Sequence, residues 1–132
     1  MVKRFGFGRK EKLKSRKKIE ALFATGKSFP AFPLRVIYLF EPGEPAGLLV
    51  GVSASKRNFK KAVDRNRVKR LLREAYRLEK EVLLEKTKAF GLAGNVFFMY
   101  NGKSIAGFDE ISAAMKKALK QLDKIISNEK FS

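Results

Sequence analysis

The chain has 132 residues and a formal net charge of +17, from 30 Lys and Arg against 13 Asp and Glu, with 45% apolar residues to build a core. That length suits one compact domain, and that charge favours a polyanionic partner. Neither Cys nor His occurs, which excludes disulfides, thiolate nucleophiles, Cys-ligated metal centres and Ser–His or Cys–His catalysis.

Residues 1–14 read as a flexible basic arm, and residues 15–132 as a single domain. Ser15 is placed to cap a short helix in which Ile19, Leu22 and Phe23 share one face and Gly26 marks the stop. In Phe29-Pro30-Ala31-Phe32-Pro33 the two prolines forbid a helix and favour extended chain. Leu34–Phe40 reads as a strand, Glu41–Gly47 as a loop, and Leu48–Ser53 as a second strand expected to pair with the first as an antiparallel hairpin. A long helix follows, from about Phe59–Lys61 to about Lys86. Gly91 and Gly94 interrupt the chain, Val96–Tyr100 is an apolar run of strand length, and Asn101-Gly102 ends it. The last helix spans about Asp109 to Ile126, with Ile111, Met115, Ala118, Leu119, Leu122 and Ile126 on one stripe. The expected order is α-β-β-β-α-β-α, an α+β fold with helices packed on a sheet.

The charge is concentrated. Residues 1–18 hold nine basic groups against Glu11, and residues 56–73 hold nine against Asp64, so two short segments carry nearly all of the excess. No stretch is apolar enough to cross a membrane, and the basic start lacks the apolar run of a secretory signal, so a cytoplasmic protein is expected. A membrane-lying helix needs a free apolar face. The second basic segment has none to offer, because its apolar side is required by the core.

On a helical wheel at about 100° per residue with Arg65 at zero, Leu78, Leu71, Val82, Ala75, Val68 and Leu72 fall between about 220° and 340°. Lys69, Arg73, Asn66, Arg77 and Arg70 fall between about 40° and 140°, and Arg67 flanks them. Burial of the first arc turns the second outward as a stripe with one cation per turn. No acid separates Arg65 from Arg73, although the same helix carries Glu79, Glu81 and Glu85 further on. Such a row repels itself unless phosphates supply the counter-charge. Asn66 adds a neutral group with both donors and acceptors.

The string Lys61-Ala62-Val63-Asp64-Arg65-Asn66-Arg67-Val68-Lys69-Arg70-Leu71-Leu72-Arg73-Glu74-Ala75-Tyr76-Arg77 resembles the Arg-Asn-Arg signature helix of the bacterial ribonuclease P protein component. Gly51-Val52-Ser53 leading to Ser55-Lys56-Arg57, and the opening helix ending in Phe23-Ala24-Thr25-Gly26-Lys27-Ser28, are similar to the same family. The resemblance covers roughly residues 12–126. It implies an α/β sandwich with a single mixed four-stranded sheet and a left-handed β-α-β crossover, and it makes residues 15–132 an RNA-binding domain. It also implies a holoenzyme in which a large RNA subunit, with Mg2+ held mainly by that RNA, removes the 5′ leader of precursor tRNA. By the same resemblance the chemistry lies with the RNA, and no catalytic residue and no metal site is expected in the protein alone.

Carried over, Arg65, Asn66, Arg67, Lys69, Arg70 and Arg73 match the signature, and Lys56, Arg57 and Lys61 its basic approach. Lys60 beside them and Arg77 on the stripe complete the expected contacts to the RNA subunit. The family's leader cleft lies between the first helix and the sheet. Phe23 matches one of its aromatics, and Ile19 stands where a second aromatic is frequent. The aromatic from the first long strand is either Tyr38 or has no counterpart. Aromatic groups beside a basic helix suit single-stranded RNA, while Phe97 and Phe98 read as core.

Three rivals exist. A structural RNA-binding protein fits the composition equally well. A DNA-bending protein would show wedges or a base-reading helix end rather than cations along two turns. An autonomous nuclease needs clustered carboxylates, whereas Asp64 and Asp109-Glu110 sit at helix starts, where acids serve the helix dipole.

Overall fold

A computed structural model describes residues 11–128. Its helices are α1 (Arg16–Thr25), α2 (Ala62–Glu79), α3 (Glu81–Ala89) and α4 (Phe108–Asn128). Its strands are β1 (Lys27–Ala31), β2 (Leu34–Pro42), β3 (Gly47–Ala54) and β4 (Leu92–Tyr100). The class is the expected α+β with one mixed four-stranded sheet and helices packed on it, in the order α-β-β-β-α-α-β-α.

Strand pairing departs from the expected hairpin. The spatial order is β1-β2-β4-β3, so β4 lies between β2 and β3, antiparallel to the first and parallel to the second. The reason lies in burial. In β4 the residues of one face are all buried and those of the other half-buried, which suits a strand bonded on both edges. Much of β3 is only half-buried, as befits an edge. The antiparallel hairpin forms instead between β1 and β2, where Ala31 pairs with Leu34 around a Phe32-Pro33 tip. The Phe29–Pro33 stretch is thus extended as expected.

Alternation splits the sheet into two faces. Leu34, Val36, Tyr38 and Phe40 of β2 join Leu92, Val96, Phe98 and Tyr100 of β4 in the main core. Above them pack Val68, Leu72, Ala75 and Tyr76 of α2, Leu83 of α3 and the whole predicted stripe of α4. The other face carries a smaller cluster of Leu13, Leu22 and Ile37, with Ile19, Leu39, Leu49, Phe97 and Met99 against it. On this face α1 is capped by the Ser15 hydroxyl, which accepts the Lys18 N–H at 3.4 Å, and it buries only Leu22.

The long helix is broken at Lys80 into α2 and α3, with no Pro or Gly to announce it. Lys80 is buried at the break, and its ammonium is paired with Glu11. A buried charge is tolerable only with such a partner. Beyond the break Leu83 and Thr87 face inward, and the Thr87 hydroxyl donates to the Leu83 carbonyl at 2.7 Å. Leu78 and Val82, expected in the core, are exposed, and Tyr76 takes the inward place. The expected arm also needs correction. Residues 1–10 lie outside the described residues, but Glu11–Leu13 belong to the body. Lys12 bridges to Val50 in parallel, the Leu13 N–H donates to the Val50 carbonyl at 2.9 Å, and the Leu13 side chain is buried.

Leu72→Ala is expected to cost about 2–5 kcal/mol in urea unfolding, as a large-to-small change in a closed core. Val82→Ser, on the same wheel arc but exposed, should stay within about 0.5 kcal/mol. Equal losses at both positions would place the core face of this segment wrongly.

Candidate nucleic-acid interface

The turn that feeds α2 is fixed from below. Phe59 is buried, its ring centroid 5.8 Å from that of Tyr100. The Ser55 hydroxyl accepts the Arg57 N–H at 3.1 Å. Arg65 donates through Nη1 to the carbonyls of Phe59 and Lys60, at 2.8 and 2.9 Å. Arg65 therefore clamps the basic turn onto the first turn of the helix, and its remaining donors stay available. The clamp leaves Lys56, Arg57, Lys60 and Lys61 on the surface.

Along α2 the side chains of Asn66, Arg67, Arg70 and Arg73 are exposed and Lys69 is half-buried. Among the described residues, none of the five makes an ion pair or a side-chain hydrogen bond. Unneutralised cations one turn apart repel each other, and a phosphate chain is the ligand that removes the repulsion. Arg77 differs. Its Nε donates to Glu74 at 3.1 Å, and this partner holds the Glu74 carboxyl below and the Arg77 guanidinium above their ordinary pKa ranges. The uncompensated stripe thus ends at Arg73.

Arg73 also reaches a second feature. A groove of about 230 Å³ on the α1 side of the sheet is lined by Lys12, Leu13, Lys14, Ile19, Val50, Gly51, Val52, Arg73 and Phe97. Phe97 supplies its aromatic surface, and Gly51 makes room for it, since a Cβ there would stand 2.7 Å from the Phe97 ring. Phe23, half exposed, meets Phe97 edge-on with centroids 5.5 Å apart. Of the expected cleft residues of α1, Ile19 thus lines this groove and Phe23 stands beside it against Phe97.

Tyr38 does not join them. It projects from the opposite face of the sheet, buried in the main core between Phe29 and Phe40 at 5.9 Å from each. The aromatic ring on the groove face is that of Phe97, which also packs against the smaller cluster of Leu13, Leu22 and Ile37. The signal was hidden because Val96–Tyr100 is apolar at every position, so the run does not reveal which side chains turn which way. Lys12 and Lys14 fall within the basic arm expected over residues 1–14. The alternation Lys12-Leu13-Lys14, one apolar residue between two cations, was the available sign of an extended segment with a buried side.

Comparison with known proteins agrees with the geometry. The family described as Ribonuclease P matches residues 7–123 of this chain. The ribonuclease P protein component of Porphyromonas gingivalis is 39% identical over 116 residues, covering 87% of this chain and 85% of that protein. The same component of Nitrosococcus oceani is 35% identical over 82 residues, 62% of this chain and 67% of that one. Two solved structures share the fold. The RNase P protein of Staphylococcus aureus has a TM-score of 0.65 at 20% identity, covering 88% of this chain and 97% of that one. That of Thermotoga maritima has a TM-score of 0.66 at 22% identity, covering 84% and 96%. The chain belongs to the bacterial ribonuclease P protein component family, the protein subunit of the endoribonuclease that processes the 5′ leader of tRNA together with an RNA subunit.

Proposed function

We propose that the two cationic features divide the labour of the holoenzyme. The basic turn and the α2 stripe (Lys56, Arg57, Lys60, Lys61, Asn66, Arg67, Lys69, Arg70 and Arg73) grip the RNA subunit. The groove of Lys12, Lys14, Ile19 and Phe97, with Phe23 beside it, takes the single-stranded leader of precursor tRNA. The observation that carries this reading is Arg73, which ends the stripe and lines the groove at the same time. A guanidinium in that position ties the leader's path to the surface that meets the catalytic RNA. Guanidinium groups suit the task through bidentate phosphate contacts, and the Phe23–Phe97 pair offers a base a sequence-tolerant stacking surface.

The protein's role in this reading is to bind and orient, while Mg2+ is held mainly by the RNA. Among the described residues no group of three or more Asp and Glu side chains gathers around a common point. No helix among the described residues is long and apolar enough to cross a membrane, and the reading places the protein in the cytoplasm with its RNA partners.

Charge reversal by Arg70→Glu is expected to weaken binding to the RNA subunit at least ten-fold while leaving the circular dichroism spectrum and urea midpoint unchanged. Log affinity of the wild-type chain should fall with log salt by about 0.7–0.9 per phosphate neutralised. A flat salt response would remove the electrostatic basis of the reading.

Phe97→Leu keeps the apolar volume and removes the aromatic face. With reconstituted holoenzyme it should raise KM for leader-bearing precursor several-fold and leave affinity for leaderless tRNA unchanged. Reconstitution at low Mg2+ tests the whole assignment: the protein should raise cleavage by the RNA subunit, and cleavage by protein freed of RNA would contradict it.

A further inference from the structure

The tip of the β1–β2 hairpin carries the most exposed large apolar side chain among the described residues, Phe32, at 80%. A single exposed apolar residue needs no special explanation. Its neighbourhood gives this one its meaning. Pro33 beside it is buried, and the Pro33 carbonyl accepts the Asn101 N–H at 2.8 Å, so the tip is braced against the loop that leaves β4. The same loop binds the basic turn: the Asn58 side-chain amide donates to the carbonyls of Asn101 and Gly102, each at 3.3 Å. The Tyr100 hydroxyl fixes the next stretch by donating to the Ser104 carbonyl at 2.7 Å and accepting the Ala106 N–H at 2.9 Å.

One hydrogen-bonded junction therefore gathers Phe32, the exposed Lys56 and Arg57, and the exposed Lys103 at one end of the sheet. None of these three cations makes an ion pair among the described residues. Phe32 lines no part of the groove that holds Phe97. The junction does continue the α2 stripe, because Asn58 and Phe59 lead through the clamped turn into α2.

We infer that Phe32 is a stacking platform for an unpaired RNA base, with Lys56, Arg57 and Lys103 holding the phosphates on either side of it. An aromatic ring stacks on any base, and flanking cations supply the affinity for the backbone. A ring presented on a braced two-residue tip loses little freedom when a base settles on it. The inference rests on the reading of this chain as an RNA-binding subunit, and it adds a contact outside both the signature helix and the groove.

The test compares the full chain with Phe32→Ala, Phe32→Leu and Phe32→Trp, each titrated separately with ribonuclease P RNA and with precursor tRNA. Because the side chain is exposed, all three variants should keep the wild-type urea midpoint. The Ala and Leu variants should lose roughly five-fold or more in affinity for one of the two RNAs, the lower end expected for one stacked base. Trp should retain wild-type affinity, and the salt slope should stay unchanged in every variant, since no charge is removed. The RNA whose affinity falls identifies the source of the base. Wild-type affinity of Phe32→Ala for both RNAs overturns the platform and leaves the RNA-subunit reading standing. Full affinity in Phe32→Leu overturns it as well, because an apolar contact would then suffice. A wild-type chain that binds neither RNA sinks both readings.

Discussion

A row of cations without internal counter-charge can stay on a helix only if the rest of that helix is fixed more strongly than the row repels. In α2 the comparison is lopsided. Each adjacent like-charge pair costs a few tenths of a kcal/mol, whereas each fully buried large side chain contributes about 1.5–3 kcal/mol. Val68, Leu72 and Tyr76 are all but inaccessible to solvent in the main core, with Ala75 beside them. The inward face therefore holds the outward face in place, and among the described residues Arg67, Lys69, Arg70 and Arg73 make no ion pair with a carboxylate. Arg65 extends the same logic to the preceding turn, where a guanidinium bonded to two carbonyls fixes the chain that presents Lys56 to Lys61.

The second constraint is the central position of β4. Successive residues of one strand serve opposite purposes: Phe98 closes the main core and Phe97 turns to the groove face. The two faces of the sheet thus share a wall one strand thick. Arg73 from the helical side and Lys12 and Lys14 from the chain start meet around the edge strand β3, where all three line the groove.

How much of this was legible in the residues follows from how local each signal is. The signature helix and α4 were readable because periodicity and charge are written within one segment. All six residues predicted on the α4 stripe are buried. Pairing was not readable, because insertion of β4 between β2 and β3 depends on strands forty or more residues apart in the chain. The break at Lys80 was hidden for a related reason: the partner that makes it tolerable, Glu11, stands 69 residues earlier in the chain. Which face Tyr38 and Phe97 take was hidden because Val36–Phe40 and Val96–Tyr100 are apolar at every position and give no alternation to read. Of the candidate site, the cationic stripe was legible and the groove only half so, through Ile19 and Phe23.

The insertion of β4 also orders events in time. While the chain is being made, β3 emerges well before the only strand it pairs with in the described sheet, and the segment between them is the polycationic helix itself. Until residues 92–128 arrive, that helix lacks both α4, which packs along it, and the strand whose Phe98 meets Tyr76. Non-local closure of this kind slows folding, and a chain halted before β4 would display its arginines on an unanchored segment. The cationic stripe is therefore held in one place only when the last strand and the last helix have closed the core beneath it.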